Sequence, residues 1–466
     1  MNKFRKNTMY IWFIIIAAFI SNYLIIRLSE PYTKIFSNND VLVYKSILFE
    51  IGVFLFVLIA MFLGGFYIYQ VWSKKELTYQ NIFMLCLLFT GTLILSVAIY
   101  RYSPFAMPLV LIPLILTFIS NKYTAIYMNI VMTLLMLPVI FDKPDIIFMN
   151  IFTGIIVGMI ASRVNQRREF PVLGLAMTLC NVLVLFIFNT MRGFEFDLFL
   201  KDSAIVSAVT FGCVIATVGI LPFFETISGI ITPFQLMDLS NLTNKLLKRL
   251  VVEAPGTYYH SIMVGNLAEA AAEEIGANAL LARVAAYYHD IGKLKSPIYF
   301  MENQHGENIH NNMDPYESKA IITAHTEDGV KIAQKYRLPP QIVEVIGQHH
   351  GDTQVAFFYN KACEEAGGSV FVNQEDFRYK NKKPSSKEAG IIMLADSVEA
   401  ATKALTEKNQ DTIAERINKV IDGKIIDGQL DECKLTLKDI NIIKKQFAES
   451  IEAYYHKRDE YPDKEA

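Results

Sequence analysis

All eight histidines of the 466-residue chain lie beyond residue 240. Five of them form a pattern with two aspartates: His260, then His289-Asp290, then His325, then His349-His350, and finally Asp396 within Leu394-Ala395-Asp396-Ser397. Imidazole and carboxylate donors suit iron, manganese or zinc, and no thiolate belongs to the set. His260, His289, His325 and Asp396 each sit on a stretch that otherwise reads as packed helix. A single histidine in such a place is ordinarily a hydrogen-bonded core or surface residue. Seven such positions, with two adjacent pairs among them, point instead to a shared metal site. Neighbouring helical residues point about 100° apart. Asp290 can therefore turn one oxygen to each of two ions while His289 serves one of them. The His349-His350 pair can deliver two imidazoles to one site, most easily at a helix end.

The elements that must position these residues read as helices over Tyr258–Ile275, Ala279–Tyr288, Pro315–Tyr336, Pro340–Gln348, Ala389–Thr406 and Thr412–Ile421. No alternating strand runs stand out, so an all-α domain is expected. The N-terminal half is of another kind. The chain is 52% hydrophobic with 19% charged residues and a mean hydropathy of +0.29. Of its 90 charged residues (44 basic plus 46 acidic), 28 fall in residues 1–240 and 62 in 241–466. The first half is too apolar for a soluble domain, and the second is charged normally and long enough to bury its own core. Disordered, collagen-like and disulfide-scaffold classes are excluded. The net charge of −2 gives no reason to expect a nucleic-acid polymer as partner. Five scattered cysteines (Cys86, Cys180, Cys213, Cys363 and Cys433) lack CxxC spacing and read as free thiols, buried where the sequence is apolar.

Roughly 20 apolar residues span a bilayer as a helix. Eight candidates occur: Tyr10–Ile26, Ile47–Trp72, Ile82–Tyr100, Phe105–Ser120, Tyr123–Phe141, Ile146–Ser162, Val172–Phe188 and Ala204–Leu221. The first follows basic Lys3, Arg5 and Lys6 but has no small-residue cleavage site after it, so it reads as a retained anchor. With a cytoplasmic N-terminus, Lys74-Lys75, Lys122, and Arg163, Arg167 and Arg168 fall on the inner side. Arg101, Asp142-Lys143-Pro144-Asp145, and Glu195, Asp197, Lys201 and Asp202 fall on the outer side. Eight spans thus place the charged half in the cytoplasm of a multi-pass plasma-membrane protein; seven or nine would place it outside. Within the spans Glu50 is read as reaching the interface, and Pro108, Pro113 and Pro138 suggest kinks. The scarcity of intramembrane charge opposes a transporter.

The expected organisation is an anchor and short external loop (1–45), a seven-helix transmembrane region (46–221), a juxtamembrane linker (222–255) and a cytoplasmic all-α domain (256–466). In the linker, Leu239–Leu250 carries apolar residues at helical spacing with Lys245, Lys248 and Arg249 opposite. It reads as a helix that couples the two halves or lies on anionic lipid.

The H…HD…H…HH…D pattern, with its signature Tyr288-His289-Asp290-Ile291-Gly292-Lys293, resembles the HD-domain phosphohydrolases. Longer runs resemble one subfamily: Glu253-Ala254-Pro255-Gly256-Thr257-Tyr258, Asn266-Leu267-Ala268-Glu269-Ala270-Ala271, Gln348-His349-His350-Gly351, Asp376-Phe377-Arg378-Tyr379, and Met393 through Ala400. That subfamily is the bacterial membrane receptors with a seven-helix region and a cytoplasmic HD domain, the PgpH type, which hydrolyse cyclic di-AMP. The resemblance runs from about residue 45 to the C-terminus. It implies two divalent transition metal ions, manganese or iron. His260, His289, Asp290 and Asp396 would hold one; Asp290, His325, His349 and His350 would hold the other, with Asp290 bridging. Two cations neutralise a phosphodiester and lower the pKa of water, so the nucleophile would be an activated hydroxide rather than a side chain. Asp290 and Lys293 are the expected catalytic residues, and Lys293, His310 and Arg378 the expected substrate contacts; a surface role for Lys293 and a salt bridge for Arg378 stay open. His305 lies in the same Asn-rich loop as His310, and His456 reads as surface.

Two departures stand out. Family members carry a large extracellular domain after the first membrane helix, where this chain has only about Arg27–Lys45. Asp352 stands where the family usually has threonine, and is read as facing solvent. The expected partners are a cyclic dinucleotide and the lipid bilayer; a homodimer is compatible with a membrane receptor but nothing in the sequence demands it. The expected reaction is hydrolysis of cyclic di-AMP to linear pApA. Another nucleotide as substrate, or a nucleotide-sensing receptor with little turnover, remains as the alternative. No Gly-Tyr-Pro motif supports a cyclic di-GMP enzyme, and a guanosine tetraphosphate hydrolase would lack the His-His pair.

Overall fold

A computed structural model describes residues 2–29, 43–72, 78–140, 143–304 and 306–455. Most of the Arg27–Lys45 loop, together with Lys74, Lys75, Asp142, His305 and His456, lies outside the described residues. Every regular element among them is helical, and one isolated antiparallel bridge joins Gln354 to Arg378. The chain divides into two compact units, Met1–Gln235 and Leu236–Ala466.

The first unit comprises α1 (Asn2–Arg27), α2 (Val43–Val71), α3 (Tyr79–Tyr100), α4 (Leu111–Ile119), α5 (Lys122–Ile140), α6 (Pro144–Ala161), α7 (Phe170–Met191) and α8 (Phe196–Ser228). Among the described residues, seven helices are long and apolar enough to cross a bilayer, and the Pro104–Ile119 run is a shorter apolar one. The fourth expected span is this shorter run. Ser103 and Pro104 start a 3-10 turn there, and only Leu111–Ile119 is α-helical. All nine residues of α4 are buried, so its sheath is protein and its length need not match the bilayer. Pro113 falls in its first turn, where no backbone N–H is required. Pro138 lies inside α5 and Pro222 inside α8; α8 carries on through the first seven residues assigned to the linker.

The surface of this unit is apolar, as its core is. Large apolar side chains point outward, among them Phe13, Phe62, Val172, Leu179 and Ile215. Several amides and hydroxyls point inward and bond to one another, as buried polar groups tend to. Asn150 Nδ2 donates to Thr133 Oγ1 at 2.6 Å and Asn129 Nδ2 to the Asn150 carbonyl at 2.9 Å. Asn181 Nδ2 donates to Thr210 Oγ1 at 3.1 Å. Asp145 pairs with Arg192 at 3.0 Å. Glu50, expected at the interface, accepts from the Tyr23 hydroxyl at 2.8 Å and faces Arg27 at 3.3 Å. Cys86 and Cys180 are partly buried, Cys213 is buried, and all five cysteines are free.

The second unit begins within α9 (Pro233–Ser240), followed by α10 (Lys245–Glu253). The single helix expected over Leu239–Leu250 is therefore two, broken at Asn241–Asn244. The reason is local: the Asn241 side chain accepts from the Thr243 amide at 2.9 Å and Asn244 from the Leu246 amide at 3.0 Å. Asparagine competes in this way with the helical backbone and caps the next helix instead. The domain continues through α11 (Pro255–Glu274), α12 (Ala279–Tyr288), α13 (Pro315–Lys335), α14 (Pro340–Gln348), α15 (Ala356–Glu365), α16 (Lys387–Lys403), α17 (Gln410–Ile426) and α18 (Leu437–Tyr455). Asn278, Asp314, Ser386 and Asn409 cap α12, α13, α16 and α17 with side-chain oxygens. Tyr288, Phe377 and Phe447 are the largest fully buried side chains of this domain.

One close approach fixes the centre. The 3-10 turn Ile291–Lys295 after Asp290 lies directly on α13, and a Cβ at Gly292 would sit 1.8 Å from the His325 carbonyl oxygen. Gly292→Ala is expected to push the two segments apart, lowering the thermal midpoint by an amount equivalent to about 2–3 kcal/mol, as for other overpacked cores. Gly423→Ala, on a helix face with nothing within 4 Å, is the matched control and should hold or raise the midpoint.

Candidate metal centre

Both ligand pairs sit at helix C-termini. Residue His289 ends α12 and His349 ends α14, so the residue after each departs from the helical path and its side chain turns to a new direction. Gly351 completes the second end with φ +54°, a left-handed conformation that glycine adopts without strain. His260 projects from α11, His325 from α13 and Asp396 from α16. Five segments thus converge, with His260, His289, Asp290, His325, His349 and Asp396 all buried and His350 partly so.

The carboxylate of Asp290 lies between two groups of ligands. Its Oδ2 is 3.3 Å from His289 Nε2 and 3.7 Å from His260 Nε2. Its Oδ1 is 3.3 Å from His325 Nε2 and 3.7 Å from His349 Nε2. Asp396 joins the first group through Oδ1, 3.0 Å from His260 Nε2, and reaches the second through Oδ2, 3.6 Å from His350 Nδ1. Donor atoms of His260, His289 and Asp396 lie within 4.8 Å of one another, as do those of Asp290, His325, His349 and His350.

The ring orientations are set from behind. His289, His325 and His349 each donate Nδ1–H to the carbonyl three residues earlier, that of Ala286, Ile322 or Ile346, at 2.7, 2.6 and 2.9 Å. Each Nε2 lone pair therefore points into the cluster. This is the usual support behind a metal-ligating imidazole. Glu399 plays the part for His260, 2.8 Å from its Nδ1. Glu399 is one helical turn beyond Asp396 on the same face of α16, a spacing the sequence displays. His289 Nε2 and Asp290 Oδ1 are buried without a hydrogen-bond partner. One orphaned atom lies in each group of ligands, and a buried, unpartnered lone pair in such a group fits a cation beside it.

The electrostatics favour the ligating protonation states. Burial opposes a charged Asp290, but the His289 imidazole and the Lys293 ammonium outweigh it and hold the carboxyl well below its usual range. Asp396 is likewise burdened by burial and held down by the hydrogen bond from His260. Burial pushes His325 down to about 4 and, joined by neighbouring His349, carries His350 well below its ordinary value. His260 is the exception: burial disfavours its charge, yet Asp396 and Glu399 raise it to about 10.

The remaining expected site residues have partners outside the seven. Lys293 Nζ is 2.7 Å from both Asp290 Oδ2 and Glu302 Oε1. His310 donates from Nε2 to the Tyr299 carbonyl at 2.8 Å and packs on Phe358. Arg378 pairs with Asp427 at 2.8 and 3.1 Å. Asp352, expected to face solvent, has its side chain 41% exposed. It also accepts from Gln429 Nε2 at 2.5 Å and approaches Arg378 at 3.7 Å.

Fold and site together define a polytopic membrane protein carrying an all-helical domain of the HD phosphohydrolase type. Residues 47–232 match the family described as 7TM receptor with intracellular HD hydrolase, and residues 257–401 match the HD domain. The chain belongs to that receptor family. It is 41% identical over 317 residues to the cyclic-di-AMP phosphodiesterase PgpH of Bacillus subtilis, an alignment that covers 67% of this chain and 44% of that protein. It is 45% identical over 254 residues to the protein of the same name from Listeria monocytogenes, covering 54% of this chain and 35% of that one. This chain therefore spans less than half the length of these relatives. The crystal structure of the Listeria HD domain in complex with cyclic di-AMP is 44% identical, with a TM-score of 0.44 over 46% of this chain and 99% of that one.

Because His260 is protonated up to about 10, a metal ion entering its group displaces a proton. Lowering the pH should weaken metal binding and raising it should strengthen it, by about tenfold per unit near neutrality for one released proton. Titrating the chelator-treated protein with Mn²⁺ at pH 6, 7 and 8 checks the slope; a pH-independent affinity would contradict it.

Proposed function

We propose that the chain is a membrane-anchored phosphodiesterase that hydrolyses cyclic di-AMP to linear pApA at a dinuclear centre. The observation that carries this reading is the placement of Asp290, whose two oxygens face two separate ligand groups. His260, His289 and Asp396 would hold one ion and His325, His349 and His350 the other, with Asp290 shared. The donor set of nitrogens and carboxylate oxygens suits manganese or iron. Two such ions, when bound, neutralise a phosphodiester and make water acidic enough to attack it near neutral pH.

The side chains of this chain do the rest. The carbonyls of Ala286, Ile322 and Ile346 keep three imidazole Nε2 atoms facing the centre, and Glu399 does so for His260. Burial of the carboxylates removes competing water, which strengthens every charge interaction inside. Lys293 stays an ammonium because Asp290 and Glu302, against the cost of burial, hold its pKa above the ordinary range. It is placed to give a proton or a hydrogen bond to a phosphate oxygen on exchanging one carboxylate partner. The names of the two relatives support cyclic di-AMP as substrate. All seven ligands come from one chain, so the reading does not require a homodimer. The complete set also weighs against a receptor without turnover.

The same reading places the N-terminus and the metal-binding domain in the cytoplasm, with the buried Pro104–Ile119 run counted as a crossing. Lys122, Arg163, Arg167 and Arg168 would then lie inside, as the positive-inside tendency favours.

Full-length protein with Mn²⁺ or Fe²⁺ should convert cyclic di-AMP to pApA, followed by chromatography. His289→Ala with Asp290→Ala should lower the rate by about a thousandfold or more, since the site then loses a ligand and its shared carboxylate. Cleavage of cyclic di-GMP or a nucleoside phosphate, with cyclic di-AMP left intact, would overturn the substrate.

A further inference from the structure

The HD match ends at residue 401, yet the chain continues into α17 and brings one more cation to the ligand loop. Lys424 lies in the last turn of α17 and is partly buried. Its Nζ donates to Thr353 Oγ1 at 3.0 Å. Thr353 follows the paired histidines closely: its amide donates to the His350 carbonyl at 3.1 Å, and its own carbonyl accepts from the Tyr379 amide at 3.0 Å. The Tyr379 ring in turn lies against the His350 imidazole, with centroids 4.6 Å apart. The ammonium is therefore one loop away from a ligand, within electrostatic range of Asp396.

This position is built rather than incidental. The fully buried Gln429 ties the end of α17 to the loop. Its amide N–H donates to the Lys424 carbonyl at 3.0 Å. Its side-chain oxygen accepts from the Asp352 amide at 3.2 Å, and its side-chain nitrogen donates to Asp352 and to Asp427. Gly351 leaves room for this clamp, since a Cβ there would come within 2.2 Å of Gln429 Oε1.

The three cations around the centre differ in what they already hold. Lys293 is bound by two carboxylates and Arg378 by the Asp427 carboxylate. The acids that act on Lys424 have other partners: Asp396 has His260, and Asp427 has Arg378 and Gln429. Among the described residues, no carboxylate lies within ion-pairing distance of Lys424, whose hydrogen-bond partner is a neutral hydroxyl. Burial already works against its charge. A partly buried cation beside a hydroxyl that can also donate is the chemistry that receives an anion.

A cyclic dinucleotide carries two phosphodiester anions across one ring, and the metal centre engages one. We propose that Lys424, with Thr353, forms the subsite for the second phosphodiester, which makes the site selective for substrates with two phosphates. This rests on the proposed function, and it assigns to the segment beyond the HD match a part in substrate choice.

The test compares full-length wild type, Lys424→Gln and Lys424→Arg, each with Mn²⁺. The substrates are cyclic di-AMP and the linear dinucleotide ApA, which has one phosphodiester and no second phosphate. Thermal midpoints confirm that the variants are folded. The ratio of kcat/KM for cyclic di-AMP over ApA should fall about tenfold in Lys424→Gln, mostly through KM, as expected for loss of one charge-assisted contact. Lys424→Arg should keep most of the ratio. A merely structural lysine would lower both substrates alike, so an unchanged ratio in Lys424→Gln overturns the subsite while leaving the phosphodiesterase in place. A wild type that cleaves neither compound overturns the proposed function, and the subsite with it.

Discussion

A carboxylate buried among imidazoles is the constraint on which the rest of the domain depends. Asp290 is 2% exposed. A carboxylate so placed needs positive charge or hydrogen-bond donors on both oxygens, because an unpaired buried charge is among the costliest features a fold can carry. Lys293 provides for Oδ2 from within the same short segment. Oδ1 faces His325 and His349 and makes no hydrogen bond. The arrangement is intelligible as a site prepared for cations, with the cost of burial offset when they bind. It also accounts for the packing around it. Glycine at 292 lets the turn after Asp290 lie on α13, and glycine at 351 lets the second histidine pair end its helix sharply.

Much of this centre was legible in the sequence because the ligand types are rare there and their spacing is local. Histidine is absent from the first half, so its appearance in two adjacent pairs carried information at once. The expectation that His349-His350 would work best at a helix end matches the α14 terminus, and the range expected for α12 is the range found. The reason is that helix periodicity and terminal residues are local properties. What stayed hidden depends on distant partners. Lys424 and Thr353 are 71 positions apart and Arg378 and Asp427 are 49 apart, so no spacing rule connects them. Asp352 read as solvent-facing because its partner Gln429 lies beyond any local window. The break at Asn241–Asn244 was visible in principle: two asparagines three positions apart are capping residues, and the helical pattern of the leucines masked them.

The two units solve the problem of burying polar groups in opposite solvents. In the first, amides and hydroxyls such as Asn150, Thr133, Asn181 and Thr210 bond to one another inside while Phe62 and Leu179 face outward. That is the arrangement a hydrocarbon surrounding demands, since no water is present to satisfy a stray donor. In the second, the ligand set is a dense polar cluster inside an apolar core. The short, wholly buried α4 belongs to the first logic: protein on every side frees it from the bilayer thickness that sets the length of its neighbours.

The central claim is that Asp290 joins two ions rather than serving one. Electron paramagnetic resonance of the full-length protein loaded with Mn²⁺ addresses this directly, because two manganese ions sharing a carboxylate are magnetically coupled. The account predicts the coupled hyperfine pattern in the wild type and its replacement by an isolated-ion pattern in Asp290→Asn. An isolated-ion spectrum from the fully loaded wild type would contradict the account.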